Sequence, residues 1–152
     1  MTSVESVLAR TRRGILTMTE TALTLLAGLT LWPGATEWEL RELRDRVSSG
    51  YPSGHEEFLR HSNGAEGPYG RTQYLVLWSS RDLIERNEGY AVQEFAPGLL
   101  LFGTDGGDTG YGFDIRSIPW AVVETPIIGM DWSKARTVAK SFTTFLQNLA
   151  IQ

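Results

Sequence analysis

The residues best suited to chemistry in this 152-residue chain are carboxylates around one glycine-rich turn. Asp105 and Asp108 enclose Gly106 and Gly107, and Asp114 follows on the next segment. A calcium ion needs several oxygen ligands from a flexible loop, but the D-x-[DN]-x-[DN]-G order of the EF-hand loop is absent. A tight hairpin, with glycines at positive φ and aspartates bonded to local amides, explains the same residues. We therefore predict no metal site.

Paired carboxylates also hydrolyse glycosidic bonds when two acids face each other across a cleft. Glu66 with Asp105 or Asp114 is the one combination that the sequence offers. Their spacing does not require them to meet, so a small hydrolase using Glu66 and Asp105 stays an alternative. Motifs for a phosphate-binding loop, a nucleophile elbow and an HExxH zinc site are absent. We predict no cofactor.

The two histidines, His55 and His61, fall on one predicted helix. Six helical steps leave their side chains about 120° apart around the helix axis, so they cannot share a metal ion. We interpret His55 as a partly buried packing residue and His61 as a solvated one.

Two strands are predicted to flank the glycine-rich turn. Residues 99–102 form a short continuous apolar run, which is typical of a strand covered on both faces. Tyr111, Phe113 and Ile115 alternate with glycine and aspartate, the period of a strand with one apolar face. We expect two adjacent antiparallel strands in the middle of a sheet.

Capping signals indicate where helices begin. Residues 36–39 (TEWE) match a capping box, and residues 53–56 (SGHE) are expected to form a second. Ser79 or Ser80 caps a helix whose apolar stripe includes Asn87. Because an unsatisfied buried amide costs about 1–3 kcal/mol, we expect Asn87 to hold a neighbouring loop by hydrogen bonds.

The chain is predicted to form a single domain. The chain is long enough to bury a hydrophobic core without stabilising disulfide bonds or metal ions, and it contains no cysteine for a disulfide framework. Residues 64–70 are interpreted as a glycine-rich link, and residues 1–30 as a helical segment. No apolar run reaches the roughly 18 residues of a membrane span. We expect a soluble, cytoplasmic protein.

Acidic side chains are concentrated in the middle of the chain. The net charge is −4, yet residues 37–131 hold 16 of the 18 acidic and 8 of the 14 basic side chains, a net of −8. Such a segment disfavours nucleic acid and anionic membrane as partners and suits a basic protein. Solubility alone is the other interpretation of this charge.

A set of short motifs follows in order along the chain, at residues 62–67, 77–79, 87–90, 97–103, 104–107, 111–114 and 141–146. This ordered set resembles the SUKH superfamily, which includes fungal cell-wall synthesis regulators of the Smi/Knr type and bacterial immunity proteins against polymorphic toxins. The resemblance covers roughly residues 33–149, and residues 1–30 have no counterpart in it. Within the motifs we assign structural roles to Asn63, Gly64, Asn87, Gly106, Gly107 and Asp114.

The resemblance implies an α+β domain in which helices pack on a mixed, mostly antiparallel sheet, without catalytic activity. Members are regarded as protein-binding modules, and bacterial ones commonly neutralise a cognate toxin, often a nuclease. The acidic middle of the chain agrees with this role, because a nuclease that binds phosphate presents a basic cleft. A regulatory scaffold is the alternative binding role.

Carboxylates and aromatic side chains are the candidates for contact with such a partner. Trp38 lies off the apolar stripe of its predicted helix and Trp132 lies in a late loop, so both are candidates for exposed anchors. The other interpretation is that these two tryptophans cover the N-terminal segment. The full set of predicted contact residues is Glu66, Tyr69, Asp105, Asp108, Trp38 and Trp132.

Overall fold

The computed structural model describes residues 23–152 of the chain. Its strands are β1 (Thr30–Leu31), β2 (Ala65–Tyr69), β3 (Gln73–Leu77), β4 (Leu99–Thr104), β5 (Thr109–Asp114), β6 (Ala121–Pro126) and β7 (Arg136–Ala139). Its helices are α1 (Glu37–Asp45), α2 (Ser53–His61), α3 (Ser80–Gly89), α4 (Val92–Phe95) and α5 (Phe142–Ala150), with a 3₁₀ turn at Trp132–Lys134. The predicted α+β class is confirmed. The expected N-terminal helical segment falls largely outside the described residues.

The seven strands form one sheet in which each strand pairs antiparallel with the next along the chain. The predicted hairpin is confirmed, since β4 and β5 pair with Leu100 opposite Phe113, and β4 is the central strand. Residues 65–69 form strand β2, so their interpretation as part of a link was wrong. Within residues 23–152, no helix is long and apolar enough to cross a membrane.

The two predicted capping boxes have different outcomes. At the start of α1, Thr36 Oγ1 accepts from the Glu39 amide at 3.1 Å, and Glu39 Oε1 accepts from the Thr36 amide at 2.8 Å, so this box is confirmed. Helix α2 begins at Ser53 directly after Pro52 and has no side-chain cap, so the second box was wrong. Its glutamate, Glu56, accepts instead from the Arg44 guanidinium at 2.8 Å.

Two side-chain amides complete strand β4 beyond the point where β3 ends. β3 pairs with β4 through only two residue pairs. Further along, Asn87 donates to the Leu101 carbonyl at 2.8 Å and accepts from the Leu101 amide at 2.9 Å. Gln93 donates to the Leu99 carbonyl at 2.6 Å and accepts from the Gly98 amide at 3.0 Å. Asn87 therefore binds a central strand, where we had expected a loop.

Aromatic rings fill the space between the sheet and helices α2 and α5. The ring centroids of Phe102 on β4 and Phe113 on β5 lie 4.7 Å apart, and Phe142 of α5 lies 5.4 Å from Phe102. His55 of α2 packs against the same three rings, with centroid distances between 4.9 and 5.6 Å. The face of the sheet that carries these phenylalanines is thus the core face.

His55 is fully buried in this aromatic cluster, more deeply than we expected from its helical position. Its Nδ1 lies 2.8 Å from the Tyr51 hydroxyl, and its Nε2 finds no hydrogen-bond partner among residues 23–152. Burial lowers the pKa of the imidazole from 6.5 to about 3, because the charged form loses its hydration. His55 is therefore neutral in the folded protein at physiological pH.

Replacing Asn87 by alanine should lower the free energy of unfolding by about 2–4 kcal/mol, because the Leu101 amide and carbonyl lose their partner inside the protein. Urea denaturation of both proteins measures the difference. Asn148→Ala is the control, since its exposed amide makes one long bond, 3.3 Å to the Val138 carbonyl, and should change stability by less than about 0.5 kcal/mol. Equal effects of the two substitutions would contradict this role of Asn87.

The burial of His55 predicts a pH dependence of folding. The unfolded chain binds a proton at a pKa near 6.5 and the folded chain only at about 3, so stability is complete above pH 6.5 and is lost as the pH falls through that window. Relative to His55→Phe, the wild-type free energy of unfolding should fall by up to about 1.4 kcal/mol per pH unit between roughly pH 6.5 and 5.

Urea denaturation at a series of pH values measures this slope. The exposed His61 provides the control, because His61→Gln should keep the wild-type slope. Parallel curves for the wild type and His55→Phe would show that His55 titrates equally in both states.

Candidate partner-binding surface

One half of the sheet leaves a face exposed to solvent. Along β2, the exposed Glu66 and Pro68 alternate with buried residues. In the paired register of β3, the partly exposed Val76 lies opposite Glu66 and Tyr74 lies opposite Pro68. We call these four residues the open sheet face. Because exposed and buried positions alternate, it is the opposite side of the strands from the core face.

Tyr74 organises the open sheet face. Its hydroxyl donates to Glu66 Oε2 at 2.9 Å, and this bond to a carboxylate raises the pKa of the phenol. Its ring packs against the β4–β5 turn so closely that a Cβ on Gly106 would lie 2.8 Å from Tyr74 Cδ2. Glu66 thus contacts the hydroxyl of this tyrosine and the glycine-rich turn contacts its ring.

The β4–β5 turn is shaped by one of its two aspartates. Asp105 Oδ1 accepts from the Gly107 amide at 2.8 Å and the Thr109 amide at 3.2 Å. Gly106 has φ +85°, whereas Gly107 does not take the positive φ that we expected for both glycines. The Asp108 carboxylate is at an exposed position. Asp105 thus builds the turn, while Asp108 is presented to solvent.

Trp32 stands at the other margin of the open sheet face, directly after edge strand β1. It is 46% exposed. Together with Glu66, Trp78 and Arg86 it lines a cavity of about 370 Å³, in which the Arg86 guanidinium lies 5.6 Å from the Trp78 ring centroid. Trp32 was not among the contact residues predicted from the sequence. The available signal was a tryptophan at the end of an extended segment, next to the breaker Pro33-Gly34.

Tyr69 is not part of this surface. It is only 3% exposed, its hydroxyl donates to the Leu146 carbonyl of α5 at 2.8 Å, and burial raises the pKa of the phenol. The expectation that Tyr69 contacts a partner is corrected accordingly, because its side chain joins the sheet to the last helix.

Trp132 belongs to a cluster at the far end of β5 from the glycine-rich turn. Its indole donates to the Pro97 carbonyl at 2.6 Å, and the Arg116 guanidinium lies 3.5 Å from the ring centroid. Asp114 binds the same guanidinium through both oxygens, at 2.9 and 3.0 Å, which lowers the pKa of this carboxyl group. The structure therefore does not bring Trp132 together with Glu66, and its ring is partly covered rather than a free anchor.

The remaining predicted residues lie elsewhere. Trp38 is 66% exposed on the first turn of α1, beside helix α3 and away from the open sheet face. Asn63 Oδ1 accepts from the Ser80 amide at 2.8 Å and so joins the end of α2 to the start of α3. Gly64 has the expected positive φ, +105°, but α2 already ends at His61 with Ser62 as its C-cap, so Gly64 lies beyond the end of the helix and does not close it.

The carboxylates of the surface take part in structural hydrogen bonds. Glu66 accepts from Tyr74, and Asp105 accepts from two turn amides. Across the described part of the chain, no three His, Cys, Asp or Glu side chains lie close enough together to hold a metal ion. Both carboxylates of the hydrolase alternative, Glu66 and Asp105, are thus engaged in hydrogen bonds that hold the local structure.

Comparison with known proteins identifies a family for most of the chain. Residues 34–148 match the SMI1 / KNR4 family (SUKH-1). This interval contains all the strands except β1, and it agrees with the segment in which the sequence resembles the SUKH superfamily. No curated protein sequence shows a significant match to the chain.

The two glycines of the turn should respond differently to substitution. Gly106→Ala should lower the free energy of unfolding by about 1–2 kcal/mol, because alanine disfavours positive φ and its Cβ would meet the Tyr74 ring. Gly107→Ala is the matched control and should change it by less than about 0.5 kcal/mol, since its nearest atom, Asp105 Oδ1, lies 3.5 Å from the added Cβ. Thermal denaturation compares the stabilities of the two variants. A larger loss of stability in Gly107→Ala than in Gly106→Ala would contradict this description of the turn.

Proposed function

Because this chain belongs to the SMI1 / KNR4 family (SUKH-1), we propose that it is a non-catalytic protein-binding module of the immunity type. It neutralises a basic toxin of the nuclease class in the cytoplasm by binding it through the open sheet face. The toxin then cannot reach its nucleic acid, since an acidic protein covers the surface that would bind phosphate. Family membership supports the binding role in general, and the surface supports the choice of a basic partner.

The observation that carries this proposal is the grouping of carboxylates and exposed aromatic rings on one uncovered face. Glu66 accepts from the hydroxyl of Tyr74, which is 40% exposed, and the Tyr74 ring packs against Gly106 in the turn that carries the exposed Asp108. Trp32 lines a cavity with Glu66 at the margin of this surface. Tyrosine and tryptophan are enriched among residues that dominate binding energy, and carboxylates at the rim accelerate association with a basic partner. Both kinds of group are present here within one surface.

The local charge also favours a basic partner. Arg86 and Asp82 of α3 both line the cavity beside Trp32, together with Glu66. Arg86 is the one arginine that lines this cavity, and its guanidinium lies over the Trp78 ring. The lining therefore contains two carboxylates, Glu66 and Asp82, and one cation. A polyanion such as nucleic acid gains little from this arrangement, whereas lysine and arginine side chains of a protein are attracted to it.

A regulatory scaffold differs from an immunity protein only in the partner. It would bind a cellular enzyme in place of a toxin, and a basic toxin would then show no affinity for this chain. The identity of the bound protein therefore separates the two roles. Variants of the surface carboxylates test the immunity role, because they are measured with the toxin.

If a basic toxin is encoded nearby, the double variant Glu66→Gln, Asp108→Asn should associate with it about three- to tenfold more slowly than the wild type at low salt, because the variant loses two steering charges. Glutamine at position 66 can still accept from Tyr74. The wild-type association rate should fall with added salt, and that of the variant should fall less steeply. Stopped-flow fluorescence measures both rates.

Asp45→Asn serves as the control, since it removes an exposed carboxylate at the end of α1, outside the open sheet face. It should leave the association rate within about twofold of the wild type. Trp32→Ala should accelerate dissociation, because it removes an aromatic anchor. Association that is independent of salt, or equally fast in the double variant, would show that the open sheet face does not bind the toxin.

A further inference from the structure

A second surface runs along the other side of helix α3. Two adjoining cavities, of about 430 and 470 Å³, lie between α3 and its neighbours α1 and α4. They share Arg46, Ile84 and Glu88, so that together they form one continuous depression along α3. We call this depression the helix groove. It shares no lining residue with the cavity at the margin of the open sheet face, although other residues of α3 line that cavity.

The floor of the helix groove is apolar and its outer rim carries an exposed tryptophan. The partly exposed Val47, Ile84 and Ile115 provide the accessible apolar surface of the floor, and the buried Leu83 and Val92 lie beneath it. Trp38 stands at the end of the groove next to α1 with 66% of its surface exposed. A groove of this form accepts the apolar face of an amphipathic helix, whose side chains repeat every three or four residues.

Charged side chains on the walls of the helix groove are mostly acidic. The groove is lined by five glutamates and two arginines, namely Glu39, Glu42, Glu85, Glu88, Glu94, Arg46 and Arg81. Arg81 lies on the outer side of α3 and pairs with Glu85 at 3.0 Å. The excess of three negative charges selects a cationic occupant over an anionic one.

Arg46 shows which chemical group the glutamates hold. Its guanidinium lies 3.8 Å from Glu42 and 3.4 Å from Glu88, so it bridges α1 and α3 where the two cavities meet. All three side chains are at least 41% exposed, and ion pairs of this kind in water contribute little stability. Arg46 therefore occupies the glutamate pair loosely and can leave it without disturbing the core.

We propose that the helix groove binds a cationic amphipathic helix of a partner protein, and that an arginine of this helix displaces Arg46 from Glu42 and Glu88. Apolar side chains of the bound helix cover Val47 and Ile84, and Trp38 closes the contact at the α1 end. Arg46 acts as an internal competitor for the site. This inference concerns a different surface from the open sheet face and goes beyond the immunity role.

The test uses the full chain and a synthetic helix of about 14 residues, which spans roughly 21 Å, with leucine on one face and arginine on the other. Isothermal titration calorimetry measures its affinity. Glu42→Gln combined with Glu88→Gln should weaken binding about tenfold, and Arg46→Gln should strengthen it about three- to tenfold, because the competing cation is gone. A helix with glutamate in place of arginine should not bind.

Glu66→Gln is the matched control, because it removes a carboxylate from the open sheet face and should leave the affinity for the helix unchanged. Weaker or unchanged binding by Arg46→Gln would overturn the displacement of Arg46. Equal binding by the double glutamine variant would overturn the helix groove as the site. The thermal denaturation midpoint of each variant establishes that the variant is folded. The toxin-association measurements with the Glu66 and Asp108 variants concern a different surface, so their outcome is independent of these results.

Discussion

The unpaired edge of strand β4 is the constraint on which the positions of both surfaces depend. Strand β3 stops after two residue pairs with β4, and a buried strand edge without partners is costly. Asn87 and Gln93 supply those partners from α3 and from the first turn of α4, and so hold both helices beside the sheet. With α3 fixed there, one of its sides borders the open sheet face and the other borders the helix groove.

Sequence patterns predicted the elements whose signals are local. The hairpin between β4 and β5 follows from an apolar run, a glycine-rich turn and an alternating run, all within adjacent residues. The capping box at Thr36 is likewise complete within four residues. For the candidate surface, Glu66 and Asp108 were predicted as contact residues. The role of Tyr74, whose hydroxyl binds Glu66 and whose ring packs against Gly106 of the turn, has no local signature.

What the sequence did not predict depends on contacts between distant residues. Strand β2 contains Gly67 and Pro68, which disfavour strands by composition, and it is stabilised by pairing with β1 and β3. The glutamate of the second expected capping box meets an arginine of α1, a partner that no local motif reveals. Tyr69 was assigned to the surface because its strand was not predicted, and alternation along β2 turns it toward α5.

The alternation along β2 and β3 separates two kinds of position within the same short strands. Residues that point to the core face determine whether the chain folds, and the intervening residues meet whatever lies outside. A substitution at Glu66 therefore alters the outer surface while the aromatic core stays as it is. The outer face of this hairpin can thus change its charge and shape independently of the residues that determine folding.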